Sequence, residues 1–380
     1  MNRLPALLLL AGACRPALDG YLLGATMVTG EPAESVNARF ASLADGATTT
    51  LDVALPSLDD PTLTEALTAA WARGVDVQVV TDAQAAEAPG IAALATAGVP
   101  LRLADDDLAF FDFSQNADVA WTGDQVQMTH SFAIADGAQW LLASRAGGLD
   151  DAGPLVAVDG FGEDVAEVLR AEHIQVFGGS DATALDAYSA ANKSVGDPRG
   201  WFPTDGPEML ELRFGPQDRL IKTLIDATWG ARSSVRLVTE DITDAGLGTA
   251  LAAKAADGFD VEVIVGASFG TTTPSATNAF LAAAAGVRIL QNTAVGTLPT
   301  MMFLDLEPAR DGRYHEPRVL TLTHPVWSAS RLSGSTEVVT DQYCDGTLFG
   351  LSVRGLPPTR AIVDLAQTLL QIQTEAVELP

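Results

Sequence analysis

Two cysteines, Cys14 and Cys344, are all that 380 residues contain, so no disulfide framework can hold the fold together. Histidine is almost as scarce: His130, His173, His315 and His324 are the four, which leaves little imidazole for proton transfer at neutral pH. Positive charge is short as well, with 22 Lys plus Arg against 49 Asp plus Glu, a formal net charge of −27 and a pI near 4.2. No Lys or Arg run interrupts that field, so nucleic acid and anionic membrane surfaces are poor partners on electrostatic grounds. CxxC, HExxH and GxSxG patterns are missing, which argues against zinc sites and hydrolase elbows, and neither metal nor cofactor is expected. Gly266 to Gly270 lacks the lysine and spacing of a phosphate loop. Asp105-Asp106-Asp107 follows a strand and reads as a solvated loop rather than a cation site. After residue 14 every apolar stretch is broken before the roughly 18 residues that a membrane span needs.

What the chain does have is apolar material, at 47% hydrophobic and 19% charged, enough for one large core or two medium ones. Met1 to Cys14 gives a basic start, an apolar run and small residues directly before a cysteine, which reads as an export signal. Small residues ahead of Cys14 resemble a bacterial lipoprotein signal, with Cys14 lipidated and the protein tethered in the cell envelope. An ordinary cleaved leader is the other reading. A lipid on Cys14 leaves Cys344 without a partner.

Strands alternate with helices from Tyr21 onward. Tyr21 to Thr29, Thr49 to Leu55, Val75 to Thr81 and Val99 to Leu103 read as strands. Helices are predicted near Glu34 to Leu43, from Pro61 to Arg73 and near Gly90 to Ala97. This spacing predicts an α/β fold with mostly parallel sheets and right-handed crossovers. The order then repeats. Glu65 to Val79 lies without a gap on Thr249 to Val263 at a constant offset of 184 residues, Ala66 falling on Ala250, Gly74 on Gly258 and Asp60 on Asp244. Ala97-Gly98-Val99 answers Ala285-Gly286-Val287, and each half closes with a strand and a helix: Leu155 to Val158 then Gly162 to Phe177, and Leu348 to Val353 then Pro358 to Gln371. An internal duplication follows, with a signal at 1–14, a first half at 15–178, a linker at 179–205 and a second half at 206–380.

The duplicated unit resembles the phospholipase D-like superfamily. The likeness rests on a strand, an Asp, a helix ending at Arg73-Gly74-Val75, a further strand, Ala-Gly-Val, and a strand ending in Asp136 or Asp305. It covers about residues 20–178 and 206–372, and implies two α/β/α sandwich halves. Active members carry His-x-Lys-x-x-x-x-Asp and a Gly-Ser-x-Asn-like segment once per half. One histidine attacks phosphorus, the other protonates the leaving group, and the lysines hold the phosphate oxygens. Laid on that pattern, the first motif reads Thr129-x-Ser131-x-x-x-x-Asp136 and the second Leu298-x-Thr300-x-x-x-x-Asp305. Ser144 and Thr323 take the serine positions, while Ala146 and Pro325 take the asparagine positions.

Thr and Ser hydroxyls do not titrate near neutral pH and need an adjacent base, and Leu298 can neither attack nor protonate. Losing a central nucleophile typically costs on the order of 10⁴ to 10⁶ in rate, and losing a charged clamp roughly 10²-fold more. His130 neighbours Thr129, but adjacent strand residues face opposite ways, so it is expected to look away from a pocket lined by Thr129 and Ser131. His173, beside Glu172 on the closing helix, reads as a surface or satisfied core residue, and His315 as a loop residue. His324 is placed to rim the old pocket. The expectation is a phospholipase D-like pseudoenzyme with a binding or scaffolding role, exported and lipid-anchored, its ligand or protein partner unknown. The vestigial pocket would comprise Thr129, Ser131, Asp136, Ser144, Leu298, Thr300, Asp305, Thr323 and His324. The alternative is a divergent phosphodiesterase acting through relocated residues, and a purely structural envelope protein is a third reading.

Overall fold

The computed structural model describes residues 22–28, 33–104, 108–112, 117–121, 128–148, 155–177, 186–187, 200–204, 206–215, 220–271, 274–294, 297–323 and 346–379. Cys14, Cys344, His324, Pro325 and Asp105 to Asp107 lie outside the described residues. In the first half β1 (Leu22–Val28), α1 (Ala33–Gly46), β2 (Thr50–Leu55), α2 (Pro61–Ala72), β3 (Asp76–Asp82), α3 (Pro89–Ala97) and β4 (Leu101–Ala104) follow the predicted order. A hairpin of β5 (Leu108–Asp112) and β6 (Ala117–Trp121) stands apart, before β7 (Phe132–Ala135), β8 (Gln139–Ala143), β9 (Leu155–Phe161) and α4 (Glu163–Phe177). Two short strands fall within 179–205: β10 (Asp186–Ala187), beside β4, and β11 (Gly200–Pro203), on the second sheet. The second half runs β12 (Met209–Phe214), α5 (Leu220–Gly230), β13 (Ser234–Thr239), α6 (Ala245–Ala256), β14 (Asp260–Val265), α7 (Pro274–Ala283) and β15 (Arg288–Gln291). It continues with β16 (Thr300–Leu304), β17 (Arg318–Leu322), β18 (Thr347–Ser352), α8 (Arg360–Thr374) and β19 (Val377–Glu378).

Strand order carries the duplication. The first sheet contains β1-β9-β8-β7-β2-β3-β4 and the second contains β12-β18-β17-β16-β13-β14-β15, the same seven positions filled in the same sequence order. Parallel pairing joins β2, β3 and β4, and likewise β13, β14 and β15. From β7 to β1, and from β16 to β12, every pairing is antiparallel. The sheets are therefore mixed rather than mostly parallel. The helix-strand alternation governs only the stretch up to Ala-Gly-Val, after which short connections such as 136–138 force antiparallel neighbours.

Matching local signals build matching helices. Asp60 and Asp244 cap α2 and α6, accepting hydrogen bonds from the Leu63 amide at 2.8 Å and the Leu247 amide at 2.6 Å. Each satisfies one of the free N–H groups of a first turn, worth about 1 kcal/mol. Gly74 and Gly258 leave those helices at φ +90° and +77°, where a Cβ would be strained.

Period-2 alternation then sorts side chains between two faces. On β7, Ala133 and Ala135 face outward against α1, α2 and α3, while Phe132 and Ile134 face inward. On β16, Met302 and Leu304 face outward toward α5, α6 and α7, and Met301 and Phe303 inward. The inner faces share one core: Phe132, Trp140 and Leu169 of the first half belong to the same buried cluster as Phe214, Leu298, Phe349 and Leu369 of the second. Each such side chain contributes about 1.5–3 kcal/mol on burial, so the seam between the halves is held as a domain interior is.

Candidate functional site

Both motif strands end in an aspartate that folds back onto the start of its own half. Asp136 and Asp305 are the two non-glycine residues at positive φ among those described, both at 53°. Asp136 accepts from the amides of Thr48, Thr49 and Thr50, with Thr49 N at 2.7 Å, and from the Thr48 and Thr49 hydroxyls at 2.8 Å. Asp305 accepts from the amides of Arg232 and Ser233, both at 2.7 Å, and of Ser234 at 3.4 Å. Burial pushes the Asp136 carboxyl up, but hydrogen bonds from Thr49, Thr48 and Thr50 outweigh it and hold the group well below the usual carboxylate range. These carboxylates organise backbone, at the end of the strand away from residues 129 and 298.

The serine positions are equally occupied. Ser144 donates its amide to the Val156 carbonyl at 2.7 Å and accepts the Val156 amide on Oγ at 3.0 Å. Thr323 repeats the arrangement with Thr347, its amide donating at 3.0 Å and Oγ1 accepting at 2.9 Å. Downstream of Ser144, Gly147 at φ +90° clamps the 57–60 loop, its carbonyl accepting from the Asp59 and Asp60 amides. An added Cβ there would lie 1.9 Å from the Ser57 oxygen.

The residues at the histidine and lysine positions do not converge on one polar pocket. Leu298 is 4% exposed in the shared core, and its amide donates to Glu240 Oε2 at 2.9 Å. Thr300 is buried with its hydroxyl 3.0 Å from that of Thr239, inside its own half. Ser131 is buried with no hydrogen-bond partner for its hydroxyl among the described residues. Only Thr129 reaches across the seam, its hydroxyl 3.3 Å from that of Thr323.

His130 does turn away from Thr129, and what it meets was not foreseen. Its ring is fully buried in the seam, with Nδ1 2.7 Å from the Thr347 hydroxyl of the second half and Nε2 3.2 Å from the Glu172 carboxylate on α4. Phe132 and Phe214 flank it at centroid distances of 5.6 and 6.1 Å. His173 is likewise buried, stacked on Phe177 at 5.5 Å, and burial pushes its imidazole below the usual range, so it stays neutral. His315 is an exposed loop residue, 3.8 Å from Asp311. Glu172 falls in the apolar stripe Val165, Leu169, Glu172 and Val176 of α4, and that misplaced carboxylate was the available signal for a buried polar contact.

Beside Thr129 a cavity of about 500 Å³ opens at the ends of β2 and β3, lined by Pro56, Ser57, Asp59, Asp82, Glu87 and Met128 among others. Among the described residues of its lining three are carboxylates and none is Lys or Arg. Asp82, 5% exposed, accepts the Met128 amide at 2.6 Å. Arg145, next to Ser144, is half-buried and has a partner within the chain. At an effective dielectric of 20, a carboxylate about 4 Å from a phosphate charge opposes it by about 4 kcal/mol. Among the described residues no three His, Cys, Asp or Glu are grouped to hold a metal ion.

No protein-family model and no curated protein sequence matches the chain. Solved structures do. Phosphatidylserine synthase of Haemophilus influenzae superposes with a TM-score of 0.59 at 10% identity, over 95% of this chain and 89% of that one. Polyphosphate kinase from Porphyromonas gingivalis gives 0.55 at 11% identity over 94% of this chain, which spans 48% of the kinase. Nuc, a phospholipase D family member from Salmonella typhimurium, gives 0.34 at 12% identity, over 45% of this chain and 98% of that one. At such identities the likeness is one of architecture. With the strand order and paired aspartates above, it identifies the chain as a duplicated α/β protein of phospholipase D-like fold.

Proposed function

We propose that this protein is a phospholipase D-like pseudoenzyme: a non-catalytic binding or scaffolding protein, exported and tethered to the cell envelope through lipid on Cys14. The observation that carries the reading is the composition of the seam. Phe132, Phe214, Leu298, Met301 and Phe303 fill it, and its imidazoles have no solvent contact: His130 sits between Glu172 and Thr347, and His173 packs against Phe132 and Phe177. Thr129 and Leu298, at the positions where the resemblance puts histidines, can neither relay a proton nor attack phosphorus at useful rates. Carboxylates line the adjoining cavity, which disfavours a phosphate ligand. Export and anchoring rest on the sequence of residues 1–14.

Orthovanadate, which adopts the geometry of a phosphoryl transition state, tests the site. Calorimetric titration of the full chain is expected to show no saturable heat at millimolar concentration. Saturable binding weakened by Thr129→Ala would contradict the proposal. For the anchor, labelled fatty acid is expected on the wild-type chain and absent from Cys14→Ser; label persisting in that variant would reject it.

A further inference from the structure

Equivalent recesses in the two halves are lined by different charged groups. In the first half a recess beside α1 is lined by Arg39, Gln139 and Asp159, and Arg39 is ion-paired with Asp159. In the second, a recess of about 260 Å³ beside α5 is lined by residues including Trp201, Arg213 and Arg318. Strand register fixes the equivalence. Gln139 pairs with Ala135 as Arg318 pairs with Leu304, and Ala135 and Leu304 each precede the aspartate that ends a motif strand. Arginine thus stands where the first half has glutamine.

Arg213 and Arg318 share one carboxylate. Glu211, 1% exposed, takes Arg213 Nε at 2.6 Å on Oε1 and an Arg318 terminal nitrogen on Oε2. The other acids of the lining are Asp226, paired with Lys222, Asp305, which accepts backbone amides, and Glu316, 3.8 Å from Arg354, so with Lys222 and Arg354 counted four cations face four carboxylates. Arg213 donates to Glu211 alone among the described residues, through Nε, which leaves its two terminal nitrogens to the recess. The Arg318 guanidinium lies 5.3 Å from the centre of the Trp201 ring, itself 40% exposed, so a flat apolar surface borders the donors.

We propose that this recess binds a small monoanionic carboxylate with a planar body. A guanidinium fork matches the two oxygens of a carboxylate, and the two terminal nitrogens of Arg213 supply one. Asp226, Asp305 and Glu316 around the recess work against a dianion such as a phosphate monoester. The recess lies at the Leu304 end of β16, across the sheet from the Thr300 end where the motif begins, so it stands independently of the pseudoenzyme reading.

Calorimetric titration of the full chain with benzoate tests it. Saturable binding is expected, weakened about tenfold or more by Arg213→Gln, since a charge-assisted pair of bonds is lost, and unchanged by Arg360→Gln, a fully solvated arginine on α8. Trp201→Ala, on an exposed edge strand, is expected to weaken binding too and serves should Arg213→Gln fail to fold. Absence of saturable heat at millimolar benzoate, or affinity indifferent to both substitutions, would overturn the proposal. Methyl phosphate binding more tightly than benzoate would overturn the carboxylate assignment.

Discussion

Replacing His130 by alanine is expected to destabilise the protein by about 3–5 kcal/mol, although no part of the side chain is on the surface. Glu172 is fully buried on α4, and His130 Nε2 is the described imidazole nitrogen facing it, at 3.2 Å. Removing one partner of a buried polar contact leaves the other short of a hydrogen bond where water cannot replace it, which costs more than the contact contributes. The same substitution empties space between Phe132 and Phe214 and releases the Thr347 hydroxyl, so the halves lose a polar contact and packing together. The double variant His130→Leu with Glu172→Met removes both polar groups and fills the space. It is expected to recover most of the loss, because apolar replacements of buried pairs are often neutral. Urea unfolding of the three proteins checks this; a single variant within 1 kcal/mol of wild type would show that the contact behaves as a surface pair.

Asp136→Ala is expected to cost roughly 2–4 kcal/mol, from lost charge-assisted hydrogen bonds and an alanine forced to φ near 53°. Asp136→Asn keeps the tolerance for left-handed backbone and is expected to cost less. Asp305→Ala is expected to cost more than Asp136→Ala, because Asp305 is only 3% exposed and water cannot replace the carboxylate on the amides of Arg232 and Ser233. The pH dependence follows in sign. A carboxyl held below its unfolded value contributes stability that is fully present above about pH 4 and is lost as pH falls toward the folded value. The stability gap between wild type and Asp136→Asn is therefore expected to be flat from pH 5 to 8 and to close below pH 4; a gap that widens in acid would contradict the assigned role.

Much of the architecture was legible because the chain states it twice. Asp60 and Asp244, Gly74 and Gly258, and the valine-rich strands between them are local signals whose meaning does not depend on the rest of the fold. The antiparallel pairing was not legible. The strands ending at Asp136 and Asp305 and the one at Leu155 to Val158 were expected, but β7 and β8 are short, buried on both faces and almost wholly apolar, so nothing in their pattern gives the direction in which they pair. Strand parity did predict that His130 and Thr129 part company. It could not supply the partners, since Glu172 and Thr347 lie 42 and 217 residues away and meet His130 only through packing of the halves. Asp136 and Asp305 matched the expected pattern, yet their use in tying backbone rather than joining Thr129 and Leu298 in one pocket depends on positive φ, which no spacing reveals.

Hydrolysis of bis(4-nitrophenyl) phosphate by the full chain at neutral pH, compared with buffer and with Thr129→Ala, is the most direct test of a seam without phosphoryl chemistry. The rate is expected to equal that of buffer in both proteins, given losses on the order of 10⁴-fold or more where nucleophile and proton donor are replaced. Turnover by the wild-type chain that falls with Thr129→Ala would show that a phosphodiesterase operates there, and would contradict the account.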